Sequence, residues 1–182
     1  MARDDAAPAL GDARLACVDF DLTVLARHSF AERVTVERVE ALELRDVERE
    51  FVDVECFRAF LEYANRRGMD VKITSFGKYE VIQAYVDRVL GEGAMTRADI
   101  STPSRVGVKD GCAVEGGKNR QIEELLREKH GEDAWEKFRG TVVLFDDDER
   151  NVEAAIRAGF RATHTPDGLT KAAIQSVFGD FD

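Results

Sequence analysis

The stretch L-A-C-V-D-F-D-L-T, residues 15–23, decides the fold, because in it a short apolar run ends in two aspartates and a threonine. Residues 14–20 are β-prone and predict a short buried strand. An isolated strand gains nothing from ending in two negative charges, Asp19 and Asp21. The rest of the chain must therefore supply what these carboxylates need.

Strand-like and helix-like segments alternate along the chain. Strands are predicted over 14–20, 69–76, 141–148 and 160–165, with a β-prone stretch around Ile100, and helices over 54–68, 79–91, 117–131, 149–159 and 169–178. This alternation predicts an α/β fold, a Rossmann-like three-layer sandwich with a mostly parallel central sheet. In such folds ligands bind in the crevice beyond the carboxyl ends of the strands.

Length and composition predict the class of protein. The 182 residues favour a flexible lead-in over 1–12 and a single domain over 13–182. The net charge of −10 argues against nucleic-acid and membrane partners. Three cysteines without a C-x-x-C spacing, together with no long apolar run, predict a cytoplasmic protein. The sequence gives no signal for the oligomeric state.

Polar side chains end three of the predicted strands. In chain order they are Asp19, Asp21 and Thr23, then Thr74 and Ser75, then Asp146, Asp147 and Asp148. Gathered carboxylates repel one another and lose hydration unless a cation joins them. Mg²⁺ fits a site of carboxylates, a carbonyl, waters and a substrate phosphate. Lys118, which follows two glycines at the start of a predicted helix, is a candidate for a further positive charge.

These residue types suit phosphoryl transfer. An ionised Asp19 can attack phosphorus to form an aspartyl-phosphate. Asp21 can then protonate the leaving oxygen and later activate water. A metal ion, a lysine and hydroxyl donors would neutralise the phosphoryl oxygens.

Four motifs in order resemble the haloacid dehalogenase superfamily, over about residues 14–165. They are D-F-D-L-T at 19–23, K-I-T-S-F at 72–76, G-G-K-N-R-Q-I-E-E-L at 116–125 and L-F-D-D-D-E-R-N at 144–151. The segment 142–170 looks most like the small magnesium-dependent phosphatase branch. The resemblance implies a phosphatase that hydrolyses phosphate monoesters with Mg²⁺ as cofactor.

The resemblance also implies roles for the acidic residues. Asp19 would be the nucleophile and Asp21 the general acid and base. The side chains of Asp19 and Asp146 and the carbonyl of Asp21 would bind Mg²⁺, and Asp147 would bind it directly or through water. Asp148 would have at most a supporting role.

The implied phosphate-binding groups are a hydroxyl and a lysine. Thr74 would bind the phosphoryl group, with Ser75 as the rival because the strand can end in either register. Lys118 would bridge the nucleophile and the phosphoryl group, and Lys109 and Lys72 are the alternatives to it.

The spacing of the motifs leaves room for a flap within about 22–52 but not for a full cap domain. The resemblance therefore implies a capless member with an open site, compatible with a phosphoprotein, a sugar phosphate or another small phosphorylated substrate. Arg27 and His28 lie in this flap as candidate substrate contacts, unless they are an exposed basic pair. Asn151 is a candidate for orienting the acidic loop.

Simpler interpretations remain for each motif. Asp19 and Asp21 fit a solvated strand end followed by a helix cap, and residues 146–148 fit a cap for the next helix. A different function class is a non-catalytic, receiver-like signalling module that binds phosphate and Mg²⁺. Asp21 distinguishes the two functions, because a receiver needs no acid two residues after its phospho-acceptor. Dehalogenase chemistry is disfavoured for the same reason.

Overall fold

A computed structural model describes residues 13–112 and 114–182, so the predicted lead-in over 1–12 lies outside the described residues. In chain order the elements are β1 (Leu15–Val18), α1 (Val36–Ala41), α2 (Leu44–Glu48), α3 (Val54–Arg66), β2 (Asp70–Thr74), α4 (Tyr79–Leu90), β3 (Ile100–Ser101), α5 (Lys118–His130), β4 (Val142–Asp146), α6 (Glu149–Arg157), β5 (Arg161–His164) and α7 (Lys171–Val177). Short 3-10 helices cover Pro103–Val106 and Trp135–Thr141.

The five strands form one sheet in the order β3-β2-β1-β4-β5, and every neighbouring pair is parallel. The predicted α/β fold with a parallel sheet is confirmed, and the sheet is parallel throughout. The central strand is β1, in which Val18 pairs with Ile73 of β2 on one side and with Phe145 of β4 on the other.

Alternate residues of the strands pack into two separate cores, one on each face of the sheet. Ala16 and Val18 face the larger core, which is built with α3, α4 and α7. Leu15 and Cys17 face the smaller one, which is built with α5 and α6. Because both faces are covered, β1 is buried along its whole length, and its sequence is a continuous apolar run.

The charged stretch over 38–50 contains most of α1 and all of α2, and it is only partly solvated. Val39 and Val47 are fully buried, and Glu50 is mostly buried, with an exposed side-chain fraction of 16%. These helices are short, and each has one buried residue. Their apolar positions are therefore too few to give a visible helical period.

The sheet order creates a crevice at the carboxyl ends of β1 and β4. The chain leaves β1 towards β2 on one side and leaves β4 towards β5 on the other. Connections that diverge in this way open a gap between two adjacent strands, where ligands bind in open α/β sheets. Among the described residues, no helix combines the length and apolarity needed to cross a membrane.

Candidate functional site

The carboxylates of three aspartates meet in this crevice. Asp19 directly follows β1, and its backbone amide donates a 2.9 Å hydrogen bond to the carbonyl of Phe145 in β4. One carboxylate oxygen from each of Asp19, Asp146 and Asp147 lies within 4.8 Å of the other two. Asp19 and Asp146 are buried and Asp147 is half-buried. Three acidic groups are thus concentrated between the two central strands.

Lys118, the first residue of α5, is the buried counter-charge of this cluster. Its Nζ lies 2.5 Å from Oδ1 of Asp19 and 3.0 Å from Oδ2 of Asp146, and its side chain is 1% exposed. Burial acts to lower the pKa of the ammonium, but the charges of Asp19 and Asp146 outweigh it, so the pKa of Lys118 is raised. The lysine is therefore a fixed positive charge at neutral pH.

The two alternative lysines lie elsewhere. Lys72 projects from β2 and pairs with Asp99 at 2.6 Å. Lys109 is exposed in the loop before α5 and forms no ion pair among the residues that the structure describes. Of the three lysines, only Lys118 contacts the carboxylate cluster.

One lysine does not balance three aspartates. Burial raises the pKa of the Asp19 carboxyl well above its ordinary range, and the nearby charges of Asp146 and Asp147 add to this effect, against the lowering by Lys118. The cluster therefore has a deficit of positive charge that a cation would fill. Its donors are carboxylate oxygens, which are the ligands that hard divalent ions such as Mg²⁺ prefer. The donor set fits that ion.

Asp146 is fixed by hydrogen bonds to both of its oxygens. Oδ1 accepts from the backbone amide of Asp148 at 2.9 Å and from Nδ2 of Asn151 at 3.1 Å, while Oδ2 faces Lys118. Asp148 has a different task, since its carboxylate caps α6 by accepting from the amide of Arg150 and pairs with that side chain. Asn151 thus contacts the acidic loop at the position where the sequence suggested an orienting residue.

Asp147 is held from two directions. The hydroxyl of Thr23 donates to its Oδ1 at 3.3 Å, and Nε2 of His164 lies 2.8 Å from its backbone carbonyl oxygen. Thr23 is fully buried, and its own carbonyl accepts a 2.7 Å hydrogen bond from the amide of Leu169. The threonine of the D-x-D-x-T motif therefore ties the loop after β1 to the acidic loop after β4. The sequence assigned it no such role.

The Asp21 carboxylate is held separately, by the beginning of the flap. Its Oδ1 accepts a 2.6 Å hydrogen bond from the hydroxyl of Ser29. Its Oδ2 lies 3.3 Å from the amide of Phe30 and 3.0 Å from Nδ1 of His28. Three consecutive flap residues thus orient a carboxylate that forms no ion pair or hydrogen bond with Lys118. Asp19 and Asp21 have different partners although they are two residues apart.

A cavity of about 280 Å³ opens beside these groups. Its walls are formed by Asp19, Asp21, Leu22, His28, Phe30, Ser75, Phe76, Gly77, Gly111, Cys112, Lys118, Asp147, Asp148 and Asn151. A larger cavity of about 550 Å³ lies at the amino ends of β2 and β3 and does not touch the carboxylate cluster. The smaller one, which we call the inner cavity, is where a substrate can reach Asp19 and Asp21.

The two candidate hydroxyls after β2 take different positions. Ser75 lines the inner cavity, and its Oγ accepts a 3.0 Å hydrogen bond from the amide of Gly77. Thr74 is fully buried, does not line the cavity, and its Oγ1 has no hydrogen-bond partner among the described residues. The strand ends at Thr74, so the next residue turns its side chain into the crevice.

The structure separates Arg27 from His28. His28 lines the inner cavity and contacts Asp21, whereas Arg27 does not line it. The Arg27 guanidinium instead pairs with Glu32 and with Glu50, which also accepts hydrogen bonds from Arg38 and Tyr85. Arg27 thus joins two parts of the flap, and Glu50 in turn contacts Tyr85 of α4.

The sequence assigned no role to six of the wall residues, which are Leu22, Phe30, Phe76, Gly77, Gly111 and Cys112. The Phe76 ring lies 5.1 Å from Nζ of Lys118. Gly111 and the exposed Cys112 come from the polar segment 92–117, where no pattern marked them. The ring of Phe30 rests on Gly111 so closely that a Cβ at that position would collide with it. Gly111 has a φ of +83°, a conformation that favours glycine. The sequence alone does not show φ, so it did not distinguish Gly111 from the other glycines of this segment.

No protein-family model matches the chain. No curated protein matches it either. What the molecule itself shows is an α/β fold with an all-parallel sheet and a cluster of three aspartates at the carboxyl edge of that sheet.

Proposed function

We propose that the protein is a Mg²⁺-dependent phosphohydrolase of the haloacid dehalogenase type, which cleaves phosphate monoesters through an aspartyl-phosphate. The observation that carries this proposal is the buried Lys118 between Asp19 and Asp146, with a separately oriented Asp21 facing the same cavity. A nucleophile beside a fixed cation and an independent acid are the parts that phosphoester hydrolysis requires.

In the first half of the reaction, Asp19 attacks phosphorus. Its Oδ1 already accepts a 2.7 Å hydrogen bond from the amide of Phe20 and contacts Lys118, so we assign the attack to Oδ2. A bond forms between Oδ2 and phosphorus as the bond from phosphorus to the leaving oxygen breaks. Asp21, in its protonated form, gives its proton to that oxygen. Lys118 and Ser75 stabilise the charge on the phosphoryl oxygens.

In the second half, water releases the phosphate. The Asp21 carboxylate, now without its proton, takes one from a water molecule whose oxygen attacks phosphorus. The bond between phosphorus and Oδ2 of Asp19 breaks, which restores the Asp19 carboxylate and the protonated Asp21. The hydrogen bonds from Ser29 and Phe30 keep the Asp21 carboxylate in one place for both transfers.

Mg²⁺ would be held by the carboxylates of Asp19, Asp146 and Asp147, together with the backbone carbonyl of Asp21. When bound, it would supply the positive charge that one lysine does not, both to the acidic cluster and to the phosphoryl oxygens.

The segment between β1 and α3 supports a capless arrangement with an accessible site. It contains only α1, of six residues, and α2, of five. The inner cavity holds about 280 Å³, which admits a phosphoryl group and the adjoining part of a small molecule or of a phosphorylated side chain. A phosphorylated substrate is thus the partner that the site favours.

A receiver-like module is the competing function, and Asp21 argues against it. A phospho-acceptor needs Asp19, Lys118 and the metal, but it gains nothing from a carboxylate fixed by Ser29 and His28 at the cavity wall. A receiver would take up phosphate from a small phosphodonor and keep it. A phosphatase would release it.

The test is turnover of 4-nitrophenyl phosphate with Mg²⁺ or with chelator. We expect Asp19→Asn to lose about 10³-fold or more of kcat, since the nucleophile is removed. Asp133→Asn is the matched control, because Asp133 is exposed beyond the far end of α5, roughly 20 Å from Lys118 along a 13-residue helix. It should retain wild-type activity.

Calorimetric titration with Mg²⁺ gives a second readout that does not depend on turnover. Wild type and Asp133→Asn should bind the ion, and Asp19→Asn should bind it more weakly. A wild type without turnover across pH and substrates would contradict the proposed function. Undiminished activity of Asp19→Asn would contradict the assignment of the nucleophile.

A further inference from the structure

A third cavity, of about 490 Å³, adjoins the inner cavity. We call it the outer cavity; it is lined by residues 29–31 and 33–35 of the flap and by Lys78 and Val81 at the start of α4. Phe30 belongs to the walls of both cavities. On the opposite side, Gly77 lines the inner cavity and the next residue, Lys78, lines the outer one. The two cavities therefore meet at Phe30.

Two positive charges border the outer cavity without a counter-ion. Arg33 and Lys78 are exposed, and neither side chain forms an ion pair or hydrogen bond within 13–112 and 114–182. The neighbouring carboxylate of Glu32 is occupied by Arg27, whose Nε donates to it at 2.9 Å. In a chain with a net charge of −10, these two side chains form a local positive region beside the proposed catalytic site.

The floor of the outer cavity is apolar. Val34 and Val81 are buried there, and the ring of Phe30, which is 42% exposed, forms the wall shared with the inner cavity. An apolar floor with two cations at its rim suits a short carbon body that carries an anionic group. It suits a neutral polar body less well, because that body would leave both cations without a partner.

We propose that the outer cavity binds a second anionic group of the substrate through Arg33 and Lys78. The preferred substrates are then small phosphate monoesters that carry an additional carboxylate or phosphate. This inference rests on the proposed function for the reaction, while the binding of the second anion can be measured without turnover.

The test compares two phosphate monoesters that differ in one charged group. Glycerol 3-phosphate and 3-phosphoglycerate share a three-carbon body, and only the second has a carboxylate. The double variant Arg33→Gln/Lys78→Gln removes both cations, and Arg66→Gln/Lys137→Gln is the matched control. Both control residues are cations without an ion pair among the described residues, and neither lines the inner or the outer cavity.

We expect wild type to have a kcat/KM for 3-phosphoglycerate at least tenfold above that for glycerol 3-phosphate, because hydrogen bonds between charged groups are the strong ones. The double variant should lose about tenfold or more on 3-phosphoglycerate and little on glycerol 3-phosphate. The control variant should leave the kcat/KM values for both esters unchanged, although it changes the net charge by the same amount. Equal losses on both substrates, or equal kcat/KM values in wild type, would overturn the inference.

Calorimetric binding of 3-phosphoglycerate in the presence of Mg²⁺ separates this inference from the proposed function. Tighter binding to wild type than to the double variant, without turnover of either ester, would support the outer site and contradict the phosphatase. Turnover of both esters with no effect of Arg33 and Lys78 on binding would support the phosphatase and overturn the outer site.

Discussion

Ser29 donates a 2.6 Å hydrogen bond to Oδ1 of Asp21, and both groups are buried. The bond joins the flap to the loop after β1 across eight residues of chain. Together with the contacts from His28 and Phe30, it restricts the Asp21 carboxylate to one orientation at the cavity wall. The serine thus positions the group to which we assign proton transfer.

Removal of this hydroxyl should lower the rate more for a substrate whose leaving group needs a proton than for one whose leaving group does not. Ser29→Ala is expected to lower kcat about tenfold on an alkyl phosphate and less on 4-nitrophenyl phosphate, because a nitrophenolate leaves with little need of a proton. Asp21→Asn should show the same pattern more strongly, with a loss of about 10²- to 10⁴-fold on the alkyl ester. Steady-state rates on the two esters measure the difference.

Ser176→Ala is the control for the serine substitution, since Ser176 is exposed on α7 and donates only to the carbonyl of Ala173. It should leave both rates unchanged. If Ser29→Ala lowered both rates by one factor, the hydroxyl would support the structure of the flap and not the proton transfer.

Because other carboxylates crowd around it, the charged Asp19 side chain should lower the free energy of unfolding. Its pKa is raised by burial and by the charges of Asp146 and Asp147, so the folded state holds this proton more tightly than the unfolded state. At neutral pH in chelator, Asp19→Asn should therefore increase the free energy of unfolding. The increase should shrink as pH falls through the ordinary aspartate pKa of about 3.9, below which Asp19 of wild type is protonated in both states.

Urea unfolding with chelator and with Mg²⁺ checks this expectation. Mg²⁺ should stabilise wild type more than Asp19→Asn, because an ion that binds the folded state adds to its stability. A variant less stable than wild type in chelator would show that the ion pair with Lys118 outweighs the crowding.

Glu50 should contribute stability that disappears in acid. Burial acts to raise the pKa of its carboxyl, but hydrogen bonds from Arg38 and Tyr85 and the charge of Arg27 lower it below its ordinary value. That contribution is complete above the unfolded pKa of about 4.3 and is lost as pH falls through the lower folded value. We expect Glu50→Gln to cost about 1–3 kcal/mol at pH 7 and progressively less in acid.

Urea unfolding of Glu50→Gln at pH 7 and near pH 3 measures that difference. Glu55→Gln is the control, since the Glu55 side chain is 77% exposed and its pair with Arg58 is worth little. A cost for Glu50→Gln that did not vary with pH would argue against a role for its charge.

Gly111 should be intolerant of a side chain for two separable reasons. Its φ is +83°, which costs an ordinary residue about 1–2 kcal/mol, and a Cβ would collide with the ring of Phe30. Gly93 has a φ of +78° but open space around it, so Gly93→Ala reports the backbone cost alone. Gly111→Ala should be the more destabilising of the two in urea unfolding.

The double variant Gly111→Ala/Phe30→Ala tests the collision directly. Without the ring, Gly111→Ala should lower the free energy of unfolding by no more than Gly93→Ala does. The effects of Gly111→Ala and Phe30→Ala are then not additive. Full additivity would mean that Phe30 moves away freely and that the contact does not hold the flap.

Much of the fold could be predicted because its strands are short apolar runs and its long helices have apolar residues at helical spacing. Residues 14–20 and 141–148 are apolar runs, and the structure has β1 and β4 within them. The helix predicted over 117–131 covers Lys118–His130. The two helices of the flap were not anticipated, because each has one buried residue and the rest of the segment is charged.

The acidic part of the candidate site could be predicted because its side chains lie at the ends of strands. Asp19, Asp146 and Asp147 come together because parallel strands end at one edge. Whether Thr74 or Ser75 faces the cavity depends on the last residue of β2, and alternation alone does not give that residue. The positions of Arg27, Gly111 and the outer cavity depend on long-range packing of the flap, which leaves no local pattern.

The chain divides its proposed chemistry and its proposed recognition between different kinds of structure. Asp19, Asp146 and Lys118 are fixed by two central strands and a long helix, whereas the walls that meet the rest of a substrate come from the flap and the loop before α5. Loops tolerate insertion and substitution better than buried strands do. Changes of substrate range, in nature or in the laboratory, are therefore expected to occur by exchange of these loops, with the carboxylate cluster and Lys118 left intact.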